Sequence, residues 1–209
     1  MLSVLFGEQF DNFRHILEFY LPDDSKILDV TYGSGKLWQT VNAYSYPKYK
    51  LIKNDVDVEQ KTDYHLSFDE LEQIKEKPFD AIIYVPPYKY DVKSYSFYER
   101  PDYDWKANKS LWMLESQVGC ARELNKVFPK ILKKGGIVIV KIMDVRVKGK
   151  LIPNHDLIIR EFNNLELSDI IIYVRLGVGV FKNNTSPQTA HGYYLIFRNA
   201  PQKNIDSWG

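Results

Sequence analysis

The stretch that decides the fold runs from Lys26 to Gly35 and reads KILDVTYGSG. Its first half is a short apolar run with strand character, in which the acidic residue Asp29 stands near the end. Its second half places Gly33 and Gly35 in a tight turn before a predicted helix that reaches about Tyr44. Because glycine has no side chain, the backbone of this turn can approach a ligand closely beside a helix N-terminus. The segment predicts a strand, a turn and a helix, with a ligand site at the turn.

Apolar runs and helical periodicities alternate along the rest of the chain. We predict helices over residues 8–21, 67–76, 111–132 and 157–162, and further strands over 49–55, 79–85, 137–143, 170–175 and 193–198. The third of these helices is predicted to end at the lysines and glycines of residues 133–136. Strands that alternate with helices form a mostly parallel sheet covered on both faces, and the last two strands fit an antiparallel hairpin at one edge. We expect one α/β domain over residues 1–209.

The composition excludes several classes of protein. The chain has 209 residues, with 28 lysines and arginines against 27 acidic residues. Its single cysteine, Cys120, cannot form an internal disulfide, and its four histidines lack a metal-binding spacing, so we expect no structural metal. The N-terminus has no signal-peptide pattern, and the apolar runs are far shorter than a bilayer span of about 20 residues. We therefore expect a soluble, cytoplasmic protein.

Three ligand classes compete for the glycine turn. A nucleotide P-loop would need a glycine at position 30 and Ser or Thr at position 37, where the chain has Val30 and Leu37. A dinucleotide fingerprint would need a small residue where Trp38 stands. An acidic strand end followed by a Gly-x-Gly turn remains, and it fits either a cofactor loop or a merely structural turn between strand and helix.

A second motif follows the strand predicted over 79–85. Residues Tyr84 to Tyr88 read YVPPY, about fifty residues after the glycine turn. Proline cannot donate a hydrogen bond to a sheet, so the two prolines end the strand. The motif is therefore either a simple strand-ending turn or a loop that carries chemistry.

In this order, the two motifs resemble those of class I S-adenosylmethionine-dependent methyltransferases. They are similar in particular to the adenine-specific (exocyclic amino) DNA methyltransferases, with their D-x-x-x-G-S-G turn and their (Asp/Asn/Ser)-Pro-Pro-(Tyr/Phe/Trp) loop. The resemblance covers roughly residues 7–198. It implies a Rossmann-like, mostly parallel seven-stranded sheet with S-adenosylmethionine as the cofactor. It also implies methyl transfer to the exocyclic amine of a nucleic-acid base, with adenine in DNA as the first candidate.

The resemblance also assigns roles to residues. The cofactor would be held by Asp29, Thr31, Tyr32, Gly33, Gly35, Asp55 and Asp63. Among these, Asp55 would accept the ribose hydroxyls, and Asp63 falls where the family contacts the adenine ring. The catalytic loop would consist of Val85, Pro86, Pro87 and Tyr88. Its Pro86 carbonyl would accept an amine hydrogen, and its Tyr88 ring would stack on a base taken out of the duplex.

Val85 departs from the family pattern, because it stands where the family has a polar acceptor. An isopropyl group cannot accept a hydrogen bond, and the loss of one preorganised acceptor costs about 3 kcal/mol of transition-state stabilisation. Three interpretations stay open: a slow or inactive protein, a catalytic-site variant of an active enzyme, and an enzyme for an unusual substrate. A defective relative would act as a cofactor-binding or nucleic-acid-binding subunit. An active one could also methylate an amine of RNA, protein or a small molecule.

Two loops and one basic segment are candidates for binding the substrate. Residues 89–109 interleave aromatic and basic side chains, as nucleic-acid surfaces do, although half of these rings could equally pack on the core. Residues 177–192 form the second loop. Substrate contacts are predicted for Lys89, Tyr90, Arg146, Lys148 and Lys150, the last three as phosphate ligands. The expected partners are nucleic acid, with DNA as the first candidate, and a second copy or another subunit for target recognition. His191 is expected to pack rather than to react.

Overall fold

The structure is a computed structural model that describes residues 1–7, 9–44, 48–86, 114–147, 150–174 and 190–200. The strands are β1 (Val4–Phe6), β2 (Lys26–Asp29), β3 (Lys50–Lys53), β4 (Phe79–Tyr84), β5 (Leu132–Ile142), β6 (Val145–Val147), β7 (Lys150–Ile152), β8 (Glu166–Val174) and β9 (His191–Arg198). The helices are α1 (Gln9–Tyr20), α2 (Gln39–Tyr44), α3 (Leu114–Ile131) and α4 (Asn154–Glu161). Two 3-10 helices cover Lys36–Trp38 and Phe68–Gln73.

The central sheet has seven strands in the order β1-β8-β9-β5-β4-β2-β3. All neighbouring strands run parallel except β9, which is antiparallel to both β5 and β8. This confirms the predicted Rossmann-like, mostly parallel seven-stranded sheet with an antiparallel C-terminal pair. The strands at its centre are buried on both faces, which explains why they read as continuous apolar runs.

The seventh strand is β1, which the sequence analysis did not predict. It pairs in parallel with β8, with Val4 opposite Ile172 and Phe6 opposite Val174. The antiparallel β8–β9 pair therefore lies one strand in from the edge, and not at the edge as predicted. Three residues are too few to show a periodicity, so only the pairing with β8 defines this strand.

Two apolar layers cover the sheet. On one face, Ile82 and Tyr84 of β4 pack in the layer that contains Phe128 of α3 and Ile158 of α4. On the other face, Ala81 and Ile83 pack in the layer that contains the buried residues of α1 and α2: Phe13, Ile16, Leu17 and Val41. The alternation along β4 follows from the two-residue period of a strand.

The predicted end of the helix over 111–132 is wrong in one respect. Helix α3 ends at Ile131, and β5 begins at the next residue, so the lysines and glycines of 133–136 belong to the strand segment. Residues 133–136 do not pair with β4, because Phe79 pairs with Leu132 and Ala81 pairs with Ile137. The amide of Asn199 donates to the carbonyls of Pro129 at 3.1 Å, Leu132 at 3.3 Å and Lys133 at 3.1 Å. A distant side chain thus satisfies the helix end, where a glycine cap was expected.

The Asn199 cap gives a stability prediction. Asn199→Ala leaves carbonyls at the end of α3 without their side-chain donor, and we expect a loss of about 1–3 kcal/mol in the free energy of unfolding. The measurement is chemical denaturation of both proteins. Asn42→Ala, an exposed change in α2, serves as the control and should stay within about 0.5 kcal/mol. Equal losses in the two variants would contradict the cap.

Candidate active site

The parallel strands β3, β2, β4 and β5 bring their carboxyl ends to one edge of the sheet, where open α/β sheets bind their ligands. Backbone hydrogen bonds continue past the strand ends. The N–H of Val30 donates to the carbonyl of Ile83 at 3.1 Å. The N–H of Asn54 donates to Asp29 at 2.8 Å, and that of Tyr32 donates to Asn54 at 3.1 Å. The segments that follow β2, β3 and β4 are therefore fixed to one another.

Asp29 lies under the glycine turn and is only 1% exposed. Its Oδ1 accepts the N–H of Thr31 at 3.0 Å, and its Oδ2 accepts the indole N–H of Trp38 at 2.7 Å. Burial raises the pKa of this carboxyl to about 7, although the two hydrogen bonds oppose the shift. Asp29 therefore fixes the start of the turn, at Thr31, and the helical segment after it, at Trp38, through these two hydrogen bonds. The sequence analysis used Trp38 only to exclude a dinucleotide site and missed its bond to Asp29.

Both glycines of the turn adopt left-handed backbone angles, with φ of +54° at Gly33 and +71° at Gly35. A Cβ at Gly35 would lie 2.5 Å from the hydroxyl oxygen of Tyr32. The Tyr32 ring can therefore pack here only because residue 35 has no side chain. The ammonium group of Lys53 lies over the Tyr32 ring, 5.6 Å from its centroid. A Cβ at Gly33, in contrast, would meet nothing within 4 Å. The Tyr32 ring therefore fills the space beside Gly35, whereas the space beside Gly33 is open.

The helical segment after this turn ends at Tyr44, as predicted, but its first three residues form the 3-10 helix Lys36–Trp38 and only Gln39–Tyr44 is α-helical. The segment after β3 contacts the open backbone of the turn through Asp55, which accepts the N–H of Gly33.

The segment after β3 folds back beside the turn and is organised by Asn54. This side chain is fully buried. Its Nδ2 donates to the carbonyls of Leu66 at 3.0 Å and Val30 at 3.3 Å, and its Oδ1 accepts the N–H of Leu66 at 2.9 Å. The sequence analysis missed Asn54, although a polar residue at the end of a half-apolar strand is the kind of signal that could have indicated it.

The two predicted acidic ligands on this segment already hold backbone groups. Asp55 accepts the N–H of Gly33 on Oδ2 at 2.8 Å and the N–H of Asp57 on Oδ1 at 2.9 Å. Burial raises the pKa of Asp55, against these two hydrogen bonds. Asp63 is exposed and accepts the N–H of Lys53 at 2.8 Å. The structure thus brings Asp55 directly against the open side of the turn and sets Asp63 further along the same segment.

The two sequence motifs meet through Thr31. Its hydroxyl oxygen accepts the backbone N–H of Val85 at 2.9 Å. Val85 is half-buried and Pro86 is buried. The start of the VPPY loop is therefore hydrogen-bonded to the residue that begins the glycine turn, and the Thr31 hydroxyl is the acceptor of this bond.

Other predicted site residues lie outside the described part of the chain. These are Pro87, Tyr88, Lys89, Tyr90 and Lys148, together with the rest of the 89–109 loop and most of the 177–192 loop. The backbone of Arg146 lies in β6, but its side chain is not described. Lys150 is exposed on β7, which pairs with β6 in a two-stranded antiparallel ribbon that the sequence analysis did not predict.

No group of three or more His, Cys, Asp or Glu side chains among the described residues is placed to hold a metal ion. In the same part of the chain, no helix combines the length and the apolar character that crossing a membrane requires.

The fold is that of Rossmann-like methyltransferase structures. No protein-family model and no curated protein matches the chain. Among solved structures, TrmN from Thermus thermophilus aligns at a TM-score of 0.57 and 12% identity, over 89% of this chain and 47% of TrmN. An rRNA methylase from Streptococcus thermophilus aligns at 0.52 and 13% identity, over 92% of this chain and 97% of its own. A SAM-dependent methyltransferase from Methanosarcina mazei aligns at 0.51 and 11% identity, over 88% and 96%.

These similarities define the fold of the chain, which is that of SAM-dependent methyltransferase structures. The chain spans about half the length of TrmN and nearly the whole length of the other two proteins. At 11–13% identity they do not define a substrate.

The raised pKa of Asp29 predicts a pH-dependent stability. Between its ordinary value of 3.8 and about 7, the folded protein keeps a proton that the unfolded chain releases. The free energy of unfolding should therefore fall as pH rises through this window, by an amount on the order of a few kcal/mol. Asp29→Asn removes this titration, so the wild-type protein should lose stability relative to the variant from about pH 4 to about pH 7.

Denaturant unfolding at several pH values measures this difference. Asp23→Asn is the matched control, because the Asp23 side chain is 68% exposed. Its unfolding free energy should stay parallel to that of the wild-type protein. Curves for Asp29→Asn that are also parallel to wild type would show that the buried carboxyl does not titrate as described.

Proposed function

We propose that this protein transfers the methyl group of S-adenosylmethionine to the exocyclic amine of a nucleic-acid base, with adenine in DNA as the first candidate. The observation that carries the proposal is the hydrogen bond from the Val85 N–H to the Thr31 hydroxyl. This bond joins Val85, at the start of the VPPY loop, to the residue that begins the glycine turn. It supports the proposal because methyl transfer needs its donor and its acceptor side by side.

The residues around the turn fit the proposed cofactor. The backbone at Gly33 is open, since a Cβ there would meet nothing within 4 Å, and a ligand can use this space. Asp55 lies beside it, and each of its oxygens holds one backbone N–H while keeping a lone pair for a ribose hydroxyl. When bound, S-adenosylmethionine supplies an electrophilic methyl group on a sulfonium sulfur.

The other predicted cofactor residues take indirect or flanking roles in this proposal. Asp29 is buried and acts by holding the turn, and Thr31 acts by holding the catalytic loop. Gly35 leaves room for the Tyr32 ring, which forms a partly buried wall beside the open backbone. Asp63 is exposed further along the segment after β3, where the proposal assigns it to the adenine end of the cofactor.

The acceptor end is assigned to the VPPY loop. The carbonyl of Pro86 accepts an amine hydrogen of the substrate, and the ring of Tyr88 stacks on the base. Val85 contributes no acceptor, so the amine that receives the methyl group is held by fewer hydrogen bonds than a polar residue would allow. The exposed Lys150, on the ribbon that follows β5, is assigned to backbone phosphates. Of the solved structures with this fold, one is an rRNA methylase, so RNA is the second candidate substrate.

The cofactor assignment predicts the effect of Gly33→Ala. A methyl group at position 33 occupies the open face of the turn, and a left-handed alanine adds strain of about 1–2 kcal/mol. We expect calorimetry to show binding of S-adenosylmethionine by the wild-type protein and binding weakened on the order of tenfold or more in the variant.

Gly119→Ala is the control for this experiment. Its Cβ also meets nothing within 4 Å, but it lies in α3 and its backbone is not left-handed. The control should bind cofactor as the wild-type protein does. Absence of cofactor binding by the wild-type protein would overturn the assignment of the turn.

The acceptor assignment predicts the effect of Val85→Asp. Methyl incorporation from labelled cofactor into unmethylated DNA and RNA is measured for the wild-type protein, Val85→Asp and Val85→Leu. Because Val85→Asp restores a polar acceptor beside the amine, its rate should rise on the order of a hundredfold, equivalent to about 3 kcal/mol. Val85→Leu changes the side chain without adding an acceptor and should not gain rate.

The outcomes of this assay distinguish the three interpretations of Val85. Activity that appears only in Val85→Asp would identify the natural protein as a catalytically defective relative that binds cofactor or nucleic acid. Methylation of RNA but not of DNA would make RNA the substrate. If cofactor binds and no version methylates either nucleic acid, the proposed transfer to a nucleic-acid base is wrong.

A further inference from the structure

Four titratable side chains meet at the carboxyl end of β5, and the assignments above use none of them. Asp144 follows the last residue of β5 by two positions, His155 is the second residue of α4, and His191 and Tyr193 lie on β9. We refer to these four residues as the Asp144 cluster. Asp144 is buried, whereas the other three are partly exposed.

A short hydrogen bond joins two members of the cluster. The Nδ1 of His155 lies 2.7 Å from Oδ1 of Asp144, and the backbone N–H of His155 donates to the same oxygen at 3.3 Å. A carboxylate can only accept, so Nδ1 carries the proton and Nε2 of the neutral ring keeps its lone pair. The Asp144 side chain is 8% exposed and that of His155 is 28% exposed, so the acceptor nitrogen belongs to a ring that solvent and substrate can reach.

The rest of the cluster fixes the plane of the His155 ring. Tyr193 stacks on it with centroids 4.3 Å apart and planes inclined by 25°. The Tyr193 hydroxyl lies 3.4 Å from Oδ2 of Asp144 and 3.0 Å from Nε2 of His191. Burial and the charge of Asp144 raise the pKa of Tyr193, so its hydroxyl keeps its proton. Asn154 donates to the carbonyl of Met143 at 2.8 Å and ties the start of α4 to the end of β5.

The sheet order places this cluster beside β4, the strand that leads into the VPPY loop. Tyr84 pairs with Val140, and Ile142 pairs with Tyr193. Pro86 follows Tyr84 by two residues, as Ile142 follows Val140, so the chain leaves β4 close to the level of Ile142 and Tyr193 on the two neighbouring strands. Neighbouring strands are spaced about 4.8 Å apart. The glycine turn follows β2 on one side of the loop, and the Asp144 cluster follows β5 and β9 on the other. An acceptor base at Pro86 thus has the cofactor turn on one side and His155 on the other.

We propose that His155 is the proton acceptor of the methyl transfer and that Asp144 is its positioning residue. This inference rests on the proposed function. As the acceptor nitrogen forms its bond to the methyl carbon, the bond from that carbon to sulfur breaks and its electron pair stays on sulfur. The nitrogen then holds one proton too many, and that proton passes to Nε2 of His155. Asp144 stabilises the resulting imidazolium, which later releases its proton to water.

Few other charges oppose or replace this pair in the described part of the chain. From β9, Tyr193 stacks on the His155 ring, and His191 contacts the hydroxyl of Tyr193. On α4 itself, Asp156 pairs with Arg160 at 2.9 Å, and Glu161 pairs with Arg122 of α3 at 2.7 Å. From the ribbon, the exposed Lys150 precedes α4 by four residues. Asp144 is the anion that contacts His155, so its removal should make the imidazolium less stable.

The test is the single-turnover rate of methyl transfer to an oligonucleotide, followed between about pH 5 and 8, where histidine titrates. The wild-type rate should fall toward acidic pH, because an imidazolium cannot accept a proton. In His155→Ala the rate at neutral pH should fall on the order of a hundredfold to ten-thousandfold and lose this dependence. Added imidazole should restore part of the rate. Asp144→Asn should slow the reaction at saturating cofactor without weakening cofactor binding, because the amide cannot stabilise the imidazolium as the carboxylate does.

Two further measurements keep a structural role apart from a chemical one. Calorimetry should show unchanged cofactor affinity in His155→Ala, and circular dichroism should show an unchanged fold. His15→Gln, a change in a histidine whose side chain is 52% exposed on α1, should match the wild-type protein at every pH.

The outcomes distinguish this inference from the function on which it rests. If the wild-type protein and His155→Ala methylate the oligonucleotide with the same pH profile, the inference is wrong and the proposed function stands. A rate loss that imidazole does not rescue, together with weakened cofactor binding, also overturns the inference. If the wild-type protein binds cofactor but methylates neither DNA nor RNA, the proposed function fails and the inference fails with it.

Discussion

The buried carboxylate of Asp29 is the interaction on which the site depends. Burying a carboxyl group costs free energy unless hydrogen bonds replace its hydration, and for Asp29 part of this cost appears as its raised pKa. The N–H of Thr31 and the indole of Trp38 are these replacements. Trp38 in turn packs edge-on against Phe13 of α1, with ring centroids 5.3 Å apart. One carboxylate therefore fixes the end of β2, the glycine turn and the contact with the first helix.

The same constraint reaches Val85, at the start of the VPPY loop, through Thr31. Its N–H is held by Asp29, and its hydroxyl holds the N–H of Val85. Asn54 adds a second tie, because its side chain bonds to the carbonyl of Val30 in the same segment. The spacing between the turn and the loop is thus set by bonds within the protein. A reaction between two bound groups gains from such preorganisation, because little has to be rearranged when they meet.

The buried strands and the glycine turn could be predicted from the sequence. The features that depend on contacts between residues far apart in the chain could not. The parallel core was predictable because β2, β4 and β5 are apolar runs between helices, and the glycine turn was predictable from Gly33 and Gly35. The strand β1 was not, since its three residues acquire their structure from β8. The end of α3 was also missed, because its cap is Asn199, about seventy residues away. Likewise, no periodicity indicates that Trp38 binds Asp29 or that Asp144 binds His155.

The pairing of β1 with β8 has a consequence for how the chain folds. Val4 and Ile172 are opposite each other, although 168 positions separate them in the chain. Contacts of such long sequence separation close a large loop and tend to form late and slowly. During synthesis, residues 4–6 leave the ribosome long before their partner strand exists. The exposed Phe6 side chain therefore has no partner strand until residues 172–174 have been synthesised, and this short strand is open to mispairing until then.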